Sequence, residues 1–89
     1  MAATLAADVL QDDIAVSLAR AIAAANKRAR ESGIDVEQSL ITVTQQVFDG
    51  RSLWRINYGP REYIGRRGGD FTVDVDAKGT SIEQVLRGQ

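Results

Sequence analysis

The spacing of the hydrophobic residues changes once along this chain, near Ser39, and this change constrains the fold more than any other feature. Before it, apolar residues recur every three or four positions, as on one face of an α-helix. After it, they alternate with polar residues, as in strands that bury one face. One helix followed by several strands predicts an α+β fold of two layers, in which an N-terminal helix packs on a three- to four-stranded antiparallel meander.

The helix is predicted at residues 12–32. Its apolar stripe consists of Ile14, Leu18, Ile22, Ala25 and Ala29. Acids at its start, cations in its last turns and a glycine after it suit the two helix ends: Asp12, Asp13, Lys27, Arg28, Arg30 and Gly33. Because the stripe has only three large aliphatic residues and is padded with alanine, we expect the helix to lie close to a flat sheet.

Four strands are predicted, at residues 39–48, 51–58, 70–76 and 80–87. Asp49-Gly50 separates the first two strands and is a strong signal for a two-residue hairpin, because such a turn needs positive φ angles. The last segment is ambiguous. Residues 81–84 match a helix capping box, but the short turn at Lys78-Gly79 leads back along the preceding strand and favours a strand.

Length and charge limit the domain organisation and the partners. The chain has 89 residues, which predicts a single domain over residues 1–89. The net charge of −1 supplies no field that would attract nucleic acid or an anionic membrane. No apolar stretch approaches the ~20 residues of a membrane span. The start of the chain lacks the cationic region of a signal peptide, so we expect a cytoplasmic protein; a secreted mature form stays open.

The residue inventory excludes several kinds of catalysis. The sequence has no cysteine and no histidine, so thiolate nucleophiles, cysteine zinc sites and Ser-His-Asp triads are impossible. Asp12 and Asp13 are neighbours along a helix and point in different directions, and Asp74 and Asp76 are expected on a solvated strand face. Neither pair is therefore expected to be desolvated as a catalytic carboxylate would be. We therefore expect a protein that is not an enzyme and that uses no cofactor or metal.

The stretch DVDAKG, residues 74–79, has the acid spacing and glycine that begin a calcium-binding loop. The comparison fails at two diagnostic positions, because Lys78 occupies position five and Val85 occupies position twelve. The stretch is therefore interpreted as the end of a strand and a turn.

The basic segment between the second and third predicted strands is the first candidate for partner binding. It contributes Arg61, Tyr63, Arg66 and Arg67, among glycines whose backbone N–H groups can approach an anion. Its spacing lacks the G-K-[ST] ending of a phosphate-binding loop. A solvated connection between strands is the alternative interpretation. The exposed edge of the sheet is the second candidate contact.

Two further apolar features have competing interpretations. Trp54 alternates with Ile56 and Tyr58, which predicts core packing beneath the helix, whereas a partner anchor is the alternative. Leu40 and Leu53 fall on the polar face and are expected to form a small exposed apolar spot that can seed a dimer.

Short motifs from about Ile14 onward resemble two groups of small cystatin-like domains. The helix motif AIAAA and the turn VDAKG are similar to those of PepSY domains. The tryptophan strand LWRINY, the GG before the next strand and the VD..G turn resemble compact bacterial immunity proteins of nuclear-transport-factor-like fold. The resemblance implies a cystatin-like arrangement and a non-enzymatic role: PepSY-like domains restrain peptidases, and immunity proteins block a toxin in the cytosol. Neither group supplies catalytic residues for this chain.

Together these features predict a small non-enzymatic protein-binding module of the inhibitor or immunity type. The expected partner is another protein rather than nucleic acid or a membrane, and the chain is expected to be a monomer or a homodimer. A small-molecule-binding cystatin-like domain and a structural homodimer are the alternatives.

Overall fold

The fold consists of one main helix and a four-stranded antiparallel sheet, as the sequence predicts. The computed structural model describes residues 7–60 and 70–88. Its elements are α1 (Ala7–Leu10), α2 (Asp13–Glu31), a 3-10 turn (Val36–Gln38), β1 (Ser39–Phe48), β2 (Arg51–Pro60), β3 (Phe71–Asp76) and β4 (Ile82–Arg87). The strand order is β1-β2-β3-β4, so each strand pairs with its neighbour in sequence. The last segment, for which the sequence allowed a helix or a strand, is a strand.

Both ends of α2 are fixed by local hydrogen bonds. At the start, Oδ1 of Asp12 accepts a hydrogen bond of 3.0 Å from the backbone N–H of Ala15. At the end, Gly33 adopts a φ of +88°, and the N–H of Ile34 donates to the carbonyl oxygen of Ala29 at 2.9 Å. The predicted cap and stop residues are therefore confirmed.

The buried face of α2 is a seam of small side chains. Ala21, Ala25 and Ala29 are fully buried, whereas Leu18 and Ile22 lie only partly buried beside them. The prediction that Ile14 belongs to the buried stripe is wrong: its side chain is 65% exposed, in the first turn of the helix. The sheet contributes the large core side chains, namely Trp54, Ile56, Tyr58, Phe71, Val73 and Val75.

The helix covers the sheet unevenly. It packs mainly on β3 and β2. In the register of the sheet, Ile41 and Val43 of β1 lie opposite Tyr58 and Ile56, so they share the face on which the helix packs. Both are nevertheless exposed. Helix α2 therefore covers β2 and β3 and leaves both faces of β1 exposed to solvent.

Tyr58 provides a test of this packing through its titration. Its hydroxyl donates a 2.6 Å hydrogen bond to Oδ1 of Asn26, and burial raises the pKa of Tyr58 to about 12. Because this pKa lies above the ordinary value of about 10, the neutral form is favoured in the folded state. The stabilisation is complete below pH ~10 and is lost as the pH rises toward 12.

We expect Tyr58→Phe to cost about 1 kcal/mol at neutral pH, because Asn26 loses its hydrogen-bond donor. Urea unfolding from neutral to alkaline pH checks both parts. The wild type should lose stability above pH ~10 more steeply than the variant. Parallel pH profiles for the two proteins would contradict the burial of this hydroxyl.

Candidate functional site

The basic segment proposed from the sequence lies outside the described residues. Arg61, Tyr63, Arg66 and Arg67 all belong to residues 61–69, so their role in partner binding stays a prediction. The second predicted contact, the edge of the sheet, lies within the described part of the chain.

The edge strand β1 has outward-facing backbone groups that follow from its hairpin. Asp49 and Gly50 form a two-residue turn with φ angles of +55° and +74°, as type I′ turns require. Such a turn makes Phe48 and Arg51 a hydrogen-bonded pair. Because bonding alternates along a strand, the even-numbered residues of β1 bond to β2. The odd-numbered residues turn their N–H and C=O groups away from the sheet. These residues are Ile41, Val43, Gln45 and Val47.

Strand β1 lacks the devices by which proteins protect a sheet edge. Its ten residues, SLITVTQQVF, contain no charge, no proline and no glycine, and its pairing with β2 runs without a register shift. The opposite edge, β4, is different. It has six residues, carries Glu83 and Arg87, and its pairing with β3 shifts register between Asp74 and Val75. Length, charge and irregularity protect β4 but not β1.

Exposed apolar side chains line β1 on both faces of the sheet. Val47 and Phe48 are 74% and 67% exposed, and they follow each other at the hairpin end of the strand. Leu40, Ile41 and Val43 are also exposed nearer its start. An edge strand with outward-facing backbone groups and apolar side chains on both faces is suited to adding another strand.

The predicted apolar spot of Leu40 and Leu53 is not formed. Both side chains point to the same face of the sheet, but Leu40 lies opposite Gly59 and Leu53 lies opposite Gln46. The two leucines are therefore six positions apart along β1, a distance of about 20 Å. The exposed apolar surface follows the edge strand instead.

Asp74 is buried, although the sequence predicts it on a solvated face. Only 3% of the residue is exposed, and its two carboxylate oxygens accept hydrogen bonds from Nε and Nη2 of Arg55 at 2.8 and 2.9 Å. The hydrogen bond to Asp74 raises the pKa of Arg55 above its ordinary value. The pair joins neighbouring strands, since Arg55 and Asp74 lie directly opposite each other in β2 and β3.

Asp76 organises the turn between β3 and β4. Its Oδ1 accepts hydrogen bonds from the N–H groups of Thr80 and Ser81 at 2.7 and 2.8 Å, and its Oδ2 accepts one from the Thr80 hydroxyl at 2.9 Å. Burial alone would raise the pKa of Asp76, but these hydrogen bonds outweigh it and hold the pKa below its ordinary value. The turn interpretation of DVDAKG thus has a physical basis.

We expect Asp76→Ala to destabilise the fold by about 1–2 kcal/mol at neutral pH, because several N–H and O–H donors lose an ionised acceptor. The lowered pKa means that this stabilisation is present above pH ~4 and is lost as the pH falls through the folded-state value. Unfolding measurements should therefore show the difference from wild type shrinking at pH 3. An equal difference at pH 3 and pH 7 would contradict the role of the carboxylate.

An open cleft of about 630 Å³ lies beside the first turns of α2. Its lining is apolar at Leu10, Ile14 and Trp54. Its charged residues are two cations, Arg20 and Lys78, and one acid, Asp13. Neither cation forms an ion pair with a described residue. The cleft also explains the exposure of Ile14, because this part of the helix faces an opening rather than the sheet.

Trp54 connects the cleft to the core. It is buried and belongs to the core cluster, so the core interpretation of this residue is confirmed. Its indole Nε1 is buried and has no hydrogen-bond partner among the described residues. A buried donor without an acceptor is uncommon, because it loses its bond to water without replacement. The sequence gives no signal for either the cleft or this unpaired donor.

The part of the chain that the structure describes contains no helix long and apolar enough to cross a membrane. No protein-family model, no curated protein and no solved structure matches this chain. The similarity to PepSY domains and to immunity proteins therefore stays a prediction from short motifs.

Proposed function

We propose that this chain is a small non-enzymatic protein-binding module that takes up an extended polypeptide segment along strand β1. The observation that supports the proposal is the contrast between the two sheet edges. One is ten residues long, uncharged and exposed, and the other is short, charged and irregular. Natural sheets protect their edges unless the edge is used, so the unprotected strand is the best candidate for a contact.

Binding at this edge would combine main-chain and side-chain contacts. The outward N–H and C=O groups of Ile41, Val43, Gln45 and Val47 would pair with the incoming strand and supply affinity. The exposed apolar side chains on both faces would supply specificity, because alternate residues of the incoming strand meet different faces. The acids Asp74 and Asp76 are both held by internal hydrogen bonds, which is consistent with structural rather than catalytic roles. An inhibitory or immunity-type role is one form of this proposal.

The test compares a lysine at each edge. Val43→Lys places a charge on β1, and Leu86→Lys is the matched control on β4, since the two residues are 36% and 40% exposed. A protein captured from source cells is identified, purified separately and titrated against both variants. We expect Val43→Lys to weaken binding by about tenfold or more and Leu86→Lys to leave it nearly unchanged. Equal effects of the two variants would refute binding at β1.

A second candidate function is favoured by the cleft beside Trp54. The cleft has an apolar lining and two cations against the single carboxylate of Asp13, and neither these cations nor the buried indole N–H has a partner among the described residues. These features suit a small amphipathic anion, such as a carboxylate with an apolar tail. Trp54 is the sole tryptophan, so its fluorescence reports on the cleft. We expect decanoate to change this fluorescence in a saturable manner that Arg20→Glu abolishes. An equal response to uncharged decanol would contradict this function.

A further inference from the structure

We infer that the segment bound at β1 is β1 of a second copy of this chain, paired antiparallel about a two-fold axis. The inference rests on the proposed function and names the partner at the same edge. Such pairing would join two four-stranded sheets into one continuous sheet of eight strands.

The chemistry of β1 favours a second copy. Because the strand has no charged residue, two copies meet without repulsion and without burying an unpaired charge. The second edge would not continue the assembly, since β4 is short and carries Glu83 and Arg87. The pairing therefore closes as a dimer instead of growing into a fibre.

Side-chain matching selects one register. In a two-fold pair centred on Thr44, Leu40 faces Phe48 of the second copy and Ile41 faces Val47 of the second copy. The most exposed apolar residues of the strand then cover each other on both faces of the sheet. A pair centred on Val43 would instead place Leu40 and Ile41 opposite glutamines.

The helices leave room for this arrangement. A two-fold axis perpendicular to the sheet places both copies of α2 on the same face, each above its own β2 and β3. Their axes would be separated by four strand spacings, about 19 Å. Because a helix with side chains is about 10–12 Å wide, the two helices do not collide. Ile41, Val43 and Val47 of both copies would form the floor between them.

The size of the contact sets the expected affinity. In the register centred on Thr44, the nine residues 40–48 of each copy pair and give an interface about 31 Å long and only one strand deep on each side. Such a contact lies at the low end of specific protein interfaces, so we expect a dimer that dissociates in the micromolar range.

Disulfide trapping tests both the partner and the register. The chain has no cysteine, so a single introduced thiol can bond only to a second copy. In the register centred on Thr44, the two Thr44 residues form a non-hydrogen-bonded pair with Cα atoms about 4.5 Å apart, within disulfide range. Thr42→Cys is the control, because its two copies would be about 14 Å apart.

We expect Thr44→Cys, but not Thr42→Cys, to form a covalent dimer under mild oxidation. Sedimentation of the wild type should show a monomer–dimer equilibrium that Val43→Lys shifts to monomer. A wild type that stays monomeric at millimolar concentration would overturn the inference, and equal trapping of the two cysteine variants would overturn the register.

Different results would contradict this inference and the proposed function. If the chain is monomeric while Val43→Lys still weakens a captured partner, the second copy is excluded and the binding edge stands. If Val43→Lys changes neither self-association nor partner binding, both proposals fail.

Discussion

Replacing Gly79 with alanine is expected to destabilise the protein by about 4 kcal/mol, a large part of the stability of a domain this small. Gly79 lies in the turn between β3 and β4, with a φ of +75°, where the turn touches α2. A Cβ atom there would lie 2.6 Å from Cβ of Arg20, 2.7 Å from the carbonyl oxygen of Ser17 and 2.9 Å from the backbone nitrogen of Ala21. These are backbone and near-backbone atoms of the helix, so the helix or the turn must move.

Gly50→Ala is the matched control for this effect. Gly50 has a φ of +74°, but a Cβ atom there meets no described atom within 4 Å. This variant therefore tests the backbone strain alone, which costs about 1–2 kcal/mol. Urea unfolding of both variants separates strain from collision. Equal losses would contradict the close approach of the turn to the helix.

Replacing Arg55 with methionine is expected to cost about 3 kcal/mol. The substitution leaves the carboxylate of Asp74 buried without the guanidinium that binds both of its oxygens. The expected loss is at the low end for broken buried pairs, because the Arg55 side chain is partly exposed whereas that of Asp74 is not.

The double variant Arg55→Met/Asp74→Leu distinguishes a lost attraction from an uncompensated charge. Removing both charges should restore stability to within about 1 kcal/mol of the wild type, because no buried carboxylate remains. Unfolding free energies of the wild type, the two single variants and the double variant form a double-mutant cycle, which gives the coupling free energy between the two residues. A double variant that is less stable than Arg55→Met would contradict the proposed cost of the unpaired carboxylate.

Local sequence signals account for most of the observed fold. Three local structures each depend on a few neighbouring residues and can therefore be predicted from the sequence. They are the Asp49-Gly50 hairpin, the cap at Asp12 and the stop at Gly33. The alternation after Ser39 fixes which strand face is apolar, and the core of the sheet follows it.

Features that depend on tertiary position could not be predicted from the sequence. Asp74 has the pattern of an exposed strand residue, and its burial follows from its position opposite Arg55 across two strands. Ile14 fits the helical stripe, but it lies where the helix faces the cleft. Leu40 and Leu53 share a face, yet the register separates them. Periodicity assigns a face to a residue but does not show which neighbour covers that face.

The candidate site was predictable only in part. The absence of charge in SLITVTQQVF is visible in the sequence, and a meander necessarily has two edge strands. That α2 would pack over β2 and β3 and leave β1 uncovered is a result of three-dimensional packing. The role of the basic segment with Arg61, Tyr63, Arg66 and Arg67 stays a prediction, as does the cystatin-like classification.

Residue-by-residue amide hydrogen exchange along β1, measured as the protein concentration rises through the micromolar range, tests the open edge most directly. We expect the amides of Leu40, Thr42, Thr44 and Gln46 to exchange slowly throughout, because they bond to β2. Those of Ile41, Val43, Gln45 and Val47 should exchange quickly in dilute solution and slowly in concentrated solution. Slow exchange of these odd-numbered amides in dilute solution would contradict an open edge, and fast exchange at every concentration would contradict the pairing of β1 with a second copy.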